Sequence, residues 1–416
     1  MENTKQSRLI LYLSFTMLIF YPMKGLVPAA IYLSLGYNVA PILISLISLA
    51  VIILLGLNLL FNRVAVPTNI DKLLFLIGCF AMLMGVVHRE FPFFQNTLIL
   101  FFLQPAFYKY LNINNRYYSK CVVVFLLLTT IYLSAEHIIT QPARFGLTFD
   151  PPTDQTWQLY VNSLATRSDV LKTANLQDFH KRGWPLRLGG YLSSVLAMPV
   201  LLAMSTTFFY VWLREKFSLW CLGISLINVY LLLNSLSTTA VAAFLLTFLF
   251  YELYVKRKIT SLIVVIVCLI GFIIVITTSR FGVYFFNRVI TNLFTVEYTE
   301  HFFSYYYLLQ PSNALALLIG AWRYFHSHVD LINIPATYGV IPAFFLFKRM
   351  LFPLGFLYKT RNLQIRRYSV TVLTAFICFF HHTMTLNINV MILVTLLFLK
   401  AGDLYRREQK EALNGG

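Results

Sequence analysis

Charge is scarce in this chain. Only 12% of its 416 residues are Asp, Glu, Lys or Arg, and acidic residues number 16 against 33 basic ones. A soluble protein of this length clothes its core in charged surface, and a chain that is 58% hydrophobic with so few charges cannot. Lipid must serve as its solvent. Cysteine is also sparse, and no CxxC pair occurs, which removes both a zinc site and a disulfide framework. Cys79, Cys121, Cys221, Cys268 and Cys378 all fall within apolar runs and read as packing residues. No soluble domain and no internal repeat is legible. Basic residues are scattered over connections between apolar runs, so no basic domain exists to grip a nucleic acid.

What the chain does have is a series of apolar runs of about 20 residues, the length that crosses a bilayer as helix. The spans read as 9–35, 39–61, 72–88, 92–110, 120–138, 189–213, 217–234, 236–255, 259–278, 328–347, 367–385 and 387–401. The fold class is therefore an all-α polytopic membrane protein of about 12 transmembrane helices. Segment 344–358, interrupted by Lys348 and Arg349, reads as a cytoplasmic end with an interfacial piece. Lys and Arg mark cytoplasmic connections. They collect at Lys5 and Arg8, at Arg63 and Lys72, at Lys109 to Lys120, at Arg214 and Lys216, at 256–258, from Lys348 to Arg367, and in the C-terminal tail. Both termini are thereby placed in the cytoplasm, and the first apolar run reads as an uncleaved span.

Cytoplasmic connections are short, whereas two outer segments are long. The chain divides into N-terminal helices 1–138, a first outer loop 139–188, central helices 189–278, a second outer loop 279–327, and C-terminal helices with a cytoplasmic tail 328–416. Loops of that length in a compact protein are usually functional or disordered. The first mixes Trp157, Tyr160, Phe179 and Trp184 with acids and bases, enough apolar anchoring to fold on the membrane surface. The second is strongly aromatic, with YFF at 284–286, HFF at 301–303 and YYY at 305–307. Such a surface suits a lipid-borne substrate; it also suits an aromatic belt that merely anchors the protein.

Arginine on the outer side runs against the positive-inside bias. Arg182, Arg187, Arg280, Arg288 and Arg323 all fall close to where a span meets the outer surface. A guanidinium offers a planar fork of donors matched to phosphate and keeps its charge, so the cluster suits a lipid-linked diphosphate. Pairing with acids such as Asp178 or Glu300, or contact with lipid headgroups, is the competing explanation.

Three stretches resemble the O-antigen polymerase and O-antigen ligase superfamily of bacterial inner-membrane proteins. RLGGYLSSVLAMPVLLAM at 187–204 is similar to the family's Arg-x-x-Gly start of the span after the first long loop. LLLNSLSTTAVAAFLLTF at 231–248 is similar to its helix that opens Ser/Thr-rich after a tight outer turn. The third is the ligase-type pattern of a His, then Asn, Ser or Gln, nine residues, Gly, two residues, and Gly, Thr or Tyr. Here His328 is followed by Val329, DLINIPATY, Gly339 and, in the last place, Pro342: the His-to-Gly spacing matches and the second and last positions do not.

The resemblance implies transfer of a glycan from an undecaprenyl-diphosphate carrier onto a sugar hydroxyl at the periplasmic face. It also implies a fold resembling the C class of glycosyltransferases and inverting chemistry without a metal or other cofactor. A flippase and a chain-length regulator would be its partners. No DxD-like acidic cluster in either loop suggests a metal. Within that reading Arg187 is the first choice to hold the diphosphate, followed by Arg280 and Arg323 and then Arg182 and Arg288. His328 is the candidate general base, Asp330 its nearest carboxylate, and His326 a competitor for the role. In an extended segment His326, His328 and Asp330 would share a face; on one helix Arg323, His326 and Asp330 would align. A ligase acting on lipid A core, and a flippase or transporter, are the alternatives. The transporter is disfavoured by unequal halves and by how little charge lies within the spans.

Overall fold

The computed structural model of the chain describes residues 68–108, 115–140, 197–235, 237–279, 317–323, 330–357, 359–360, 362–379 and 388–414, with isolated residues at 46, 50, 53, 56, 146, 282 and 315. The first two expected spans and most of both long outer segments lie outside these. Among the described residues every regular element is helical. Four helices, Asn69–Val87, Tyr118–Ile138, Thr238–Lys256 and Ile259–Thr278, are long and apolar enough to cross a membrane.

Helix α1 (Asn69–Val87) starts at Thr68, whose hydroxyl accepts from the Asp71 N–H. One stripe, Leu74, Gly78, Ala81 and Gly85, is buried, and the opposite stripe, Leu73, Leu76, Phe80, Leu83 and Val87, is exposed. The small residues admit α2 closely. A Cβ on Gly78 would stand 2.7 Å from that of Phe101. Helix α2 runs Phe91–Thr97, widens to a π-helical turn over Leu98–Phe102, and ends as Leu103–Tyr108. Helix α3 is Asn115–Thr140, α4 Ala197–Glu215, α5 Leu219–Asn234 and α6 Thr238–Leu249, the last continued by a π-helical Phe250–Lys256. Helix α7 is Ile259–Thr278, α8 Asp330–Tyr338, α9 Val340–Leu351 with a 3-10 turn Phe352–Phe356, α10 Leu363–Cys378 and α11 Ile388–Asn414.

Helix α4 is the axis of the bundle. It packs against α3, α5, α6 and α10, and Met198 through Met204 are buried all round. Between hydrocarbon-bearing helices, polar side chains supply directional contacts. Thr130 donates to Asn228 Oδ1 at 2.7 Å, the Asn228 amide donates to Ser205 Oγ at 3.0 Å, and Thr374 donates to Thr207 at 2.9 Å. Helix α7 is the contrast: only Ser261 and Val265 are buried, and its remaining surface is apolar and exposed.

Helix ends meet in an alternating order that fits the expected antiparallel connections. The start of α1, the end of α2 and the end of α9 meet at Asp71, Gln104 and Arg349. The end of α4, the end of α6 and the start of α7 meet at Arg214, Glu252 and Ser261, with Arg366 of α10 beside them. At the opposite end His137 of α3 meets Tyr230 of α5. The basic ends thus gather on one side.

Three expectations are corrected. The span read as 328–347 is two helices, because Gly339 has φ +92° and breaks it, while Pro335 sits inside α8 without breaking it. The expected end at 347 moves to Leu351, with Lys348 and Arg349 in the last turn of α9, where Arg349 stands 3.8 Å from Asp71. Of the cysteines read as packing residues, Cys221 and Cys378 are buried, whereas Cys79 and Cys268 are exposed.

The break at Gly339 leaves α8 carbonyls without their helical donors, and Pro342 has no N–H to offer Tyr338. A crossing segment supplies replacements: the Ala321 N–H donates to Ala336 O and the Trp322 N–H to Thr337 O, both at 2.9 Å. The two backbones touch. A Cβ on Gly320 (φ +89°) would lie 2.5 Å from the Tyr338 carbonyl carbon, and one on Gly339 would lie 2.8 Å from that of Ile319. Gly320→Ala and Gly339→Ala should each lower stability by about 1–3 kcal/mol from backbone strain alone, with the overlap adding to it. Gly223→Ala, where nothing lies within 4 Å of an added Cβ, should be neutral or slightly stabilising. Thermal aggregation midpoints of the three variants in one detergent check this ordering.

Candidate functional site

Of the residues expected to form a site, Arg182, Arg187, Arg280, Arg288, His326 and His328 lie outside the described residues. Asp330 is the first residue of α8, and Arg323 is exposed on the bend that follows Trp322. The backbone separates these two. Trp322 is bonded at Thr337, near the far end of α8, so Arg323 starts from the opposite end of a nine-residue helix from Asp330, about 12 Å away along its axis. Arg323 is on a bend and not part of α8, and His326, the other member of the expected single-helix alignment, lies outside the described residues.

The crossing packs against the flank of the bundle, along α1. Trp322, held at φ +51°, sets its ring edge-on to Phe80 of α1, with centroids 4.8 Å apart. Tyr338 lies beneath it, stacked on Phe93 at 5.6 Å and edge-on to Phe101 at 5.1 Å, and its hydroxyl is 3.1 Å from that of Thr97. Asp71 lies in the first turn of α1 and Phe80 is nine residues further along, a rise of about 13 Å. Arg323 follows Trp322 directly, so its backbone starts level with the middle of α1. Around it Leu315, Leu318 and Ile319 of the crossing, and Val340, Ile341 and Phe344 of α9, are exposed and apolar. A guanidinium among apolar side chains needs an anion or water, and such cations in membrane proteins commonly mark substrate paths. A broken helix is a common way for membrane proteins to build a site.

No protein-family model matches the chain, and comparisons with curated proteins and with solved structures return no match.

Sequence reasoning missed the charges that the helices carry at the basic end. Glu252 is fully buried in the π-helical turn of α6, where the widened turn lets the consecutive Tyr251 and Glu252 both face inward. Arg214 grips Glu252 with two bonds, Nε to Oε1 at 2.7 Å and Nη2 to Oε2 at 2.8 Å, and Tyr210 donates to Oε1 at 2.6 Å. Tyr251 donates to Glu215 at 2.6 Å, and Lys256 joins the same carboxylate at 3.1 Å. At α11, Lys400 is fully buried, 3.3 Å from Asp403 and over the Tyr118 ring. Spacing along the chain offered one hint, since Arg214 and Glu252 each stand about one turn from the end of an apolar run. Among the described residues no group of three or more His, Cys, Asp or Glu is arranged to hold a metal.

This network joins α4, α6, α7 and α10 without an exposed reactive group, which is the work of a clamp. Breaking one side of a buried pair strands the other charge at a cost of about 3–5 kcal/mol, whereas removing both is far milder. Glu252→Gln should therefore lower the thermal midpoint more than the double variant Arg214→Leu, Glu252→Leu. A double-mutant cycle on detergent-purified protein measures the difference.

Proposed function

We propose that the chain is a polysaccharide polymerase of the O-antigen type in the bacterial inner membrane, with both termini cytoplasmic. It would move a glycan from an undecaprenyl-diphosphate carrier to the sugar hydroxyl of a second lipid-linked repeat unit at the periplasmic face. One observation carries the reading. The glycine that completes the family-like His-x10-Gly spacing, Gly339, is where a broken helix receives a crossing segment, and that segment delivers the exposed Arg323.

In this reading the diphosphate is already a good leaving group, so the protein has to hold it, offset the charge that builds as the glycosidic bond breaks, and help the acceptor hydroxyl lose its proton. Arg187, Arg280 and Arg323 would hold the diphosphate, with Arg182 and Arg288 behind them. His328 would take the acceptor proton, oriented by Asp330, with His326 as the other candidate. The acceptor oxygen attacks the anomeric carbon from the face opposite the departing diphosphate, inverting the centre.

The test uses protein purified in detergent and a lipid-linked repeat unit from the host strain, with no acceptor lipid added. A ladder of longer glycans is expected from wild type, in EDTA as well as without it. His328→Ala should lose about 10² or more of the rate. Arg187→Ala and Arg323→Ala should lose a comparable factor through weaker charge stabilisation. Transfer that occurs only when lipid A core is supplied would establish the ligase instead. No turnover, with glycolipid crossing a reconstituted bilayer, would establish a transporter.

A further inference from the structure

Among the described residues Arg367 makes no ion pair, although the Glu215 carboxylate is near enough to act on its charge. Three other arginines of the helix ends have acceptors: Arg214 has Glu252, Arg349 has Asp71, and Arg366 has the Thr360 carbonyl at 3.0 Å and Glu215 at 4.0 Å, though its Nε is also buried without a partner. The Arg367 guanidinium lies instead over aromatic rings, 4.2 Å from the centroid of Trp212 and 5.3 Å from that of Phe208. Its Nε is buried with no hydrogen-bond partner, and among the described residues no carboxylate or carbonyl accepts from its side chain. Ring faces attract the charge from one side of the guanidinium plane but satisfy none of its five N–H groups. A half-buried charge left in that condition is costly unless something from outside completes it.

The surroundings say what that is. Arg367 lies in the second turn of α10, at the basic end of the bundle. Beside it is the short connection from α4 to α5, where Trp220 stands edge-on to Trp212 at 4.8 Å between centroids. Phe217 and Leu219 on that connection are 70% and 77% exposed, and Lys216 is exposed next to them. Exposed apolar side chains, a half-exposed tryptophan and an unsatisfied guanidinium form the pattern of a surface that meets acyl chains and a phosphate together. A small soluble anion would explain the guanidinium and leave Phe217 and Leu219 in water.

We propose that Arg367 and the Lys216 to Trp220 connection bind the phosphate of an anionic phospholipid in the leaflet at the basic end of the bundle. Anionic lipid is favoured over zwitterionic because Lys216 adds a second positive charge and no acid of the connection offsets it. The site is on the opposite side from the proposed glycan chemistry and does not depend on it.

Native mass spectrometry of the full chain, released from a phosphate-free neutral detergent, tests this with phosphatidylglycerol, phosphatidylcholine and inorganic phosphate as separate probes. Wild type should retain phosphatidylglycerol in preference to phosphatidylcholine, and inorganic phosphate at equal concentration should not displace it. Arg367→Gln should bind phosphatidylglycerol about tenfold more weakly, as loss of a charge-assisted hydrogen bond predicts. Lys348→Gln, an exposed cation elsewhere on the same side, should bind as wild type does. Should Arg367→Gln fail to fold, the double variant Phe217→Ser, Leu219→Ser alters exposed positions alone and must show the same weakening. Equal retention by wild type and the variants overturns the proposal, and so does displacement by inorganic phosphate, which would identify a small-anion site.

Discussion

Two backbone hydrogen bonds decide the shape of the C-terminal half. In hydrocarbon a carbonyl without a donor is expensive, so a helix can break inside a bilayer only where protein supplies the missing donors. The Ala321 and Trp322 N–H groups do this for Ala336 and Thr337. Their approach requires glycine on both strands of the crossing, because a Cβ on either Gly320 or Gly339 would collide with main chain. The break at Gly339, the fixed place of Trp322 between Phe80 and Tyr338, and the position of Arg323 beside α1 all follow from that one contact.

A different principle holds the other end of the bundle. There the helices finish in ionic and hydrogen-bonded groups, with Arg214 and Glu252 at the centre and Tyr210, Tyr251, Glu215 and Lys256 around them. The π-helical turn at Phe250–Lys256 makes this possible by turning two adjacent polar residues toward α4. Between the two ends, pairs such as Thr130 with Asn228 and Thr374 with Thr207 fix helix register where apolar packing alone would leave it loose. The same side chains give no sign of chemistry, which leaves the crossing as the part of the described bundle best suited to meet a substrate.

Helix positions were readable because apolar length and turn chemistry are local properties. The run 259–278 agrees at both ends with α7, and the expected 217–234 and 236–255 agree with α5 and α6 to within two residues. Helix α11 runs on past 401 to Asn414 because its last turns are charged but still helix-forming. The site was less legible. Arg323 and Asp330 stand seven apart in sequence, a helical spacing, yet a bend and a helix start place them at opposite ends of α8. The charges within the spans were underestimated because hydropathy averages over Glu252, whose partner Arg214 comes from another helix, and over Lys400, which pairs with Asp403 on its own helix and lies over the Tyr118 ring.

By itself, then, the sequence determined that several helices are long and apolar enough to cross a membrane, where several of the described helices begin and end, and which ends are basic, since each of these depends on runs of neighbouring residues. Tertiary structure decided which glycine breaks a helix, which charges are buried in pairs, and which cation lacks an ion pair among the described residues. Each of those outcomes is set by residues far apart in the chain that meet across a bundle, as Gly320 meets Gly339 and as Arg367 meets Trp212.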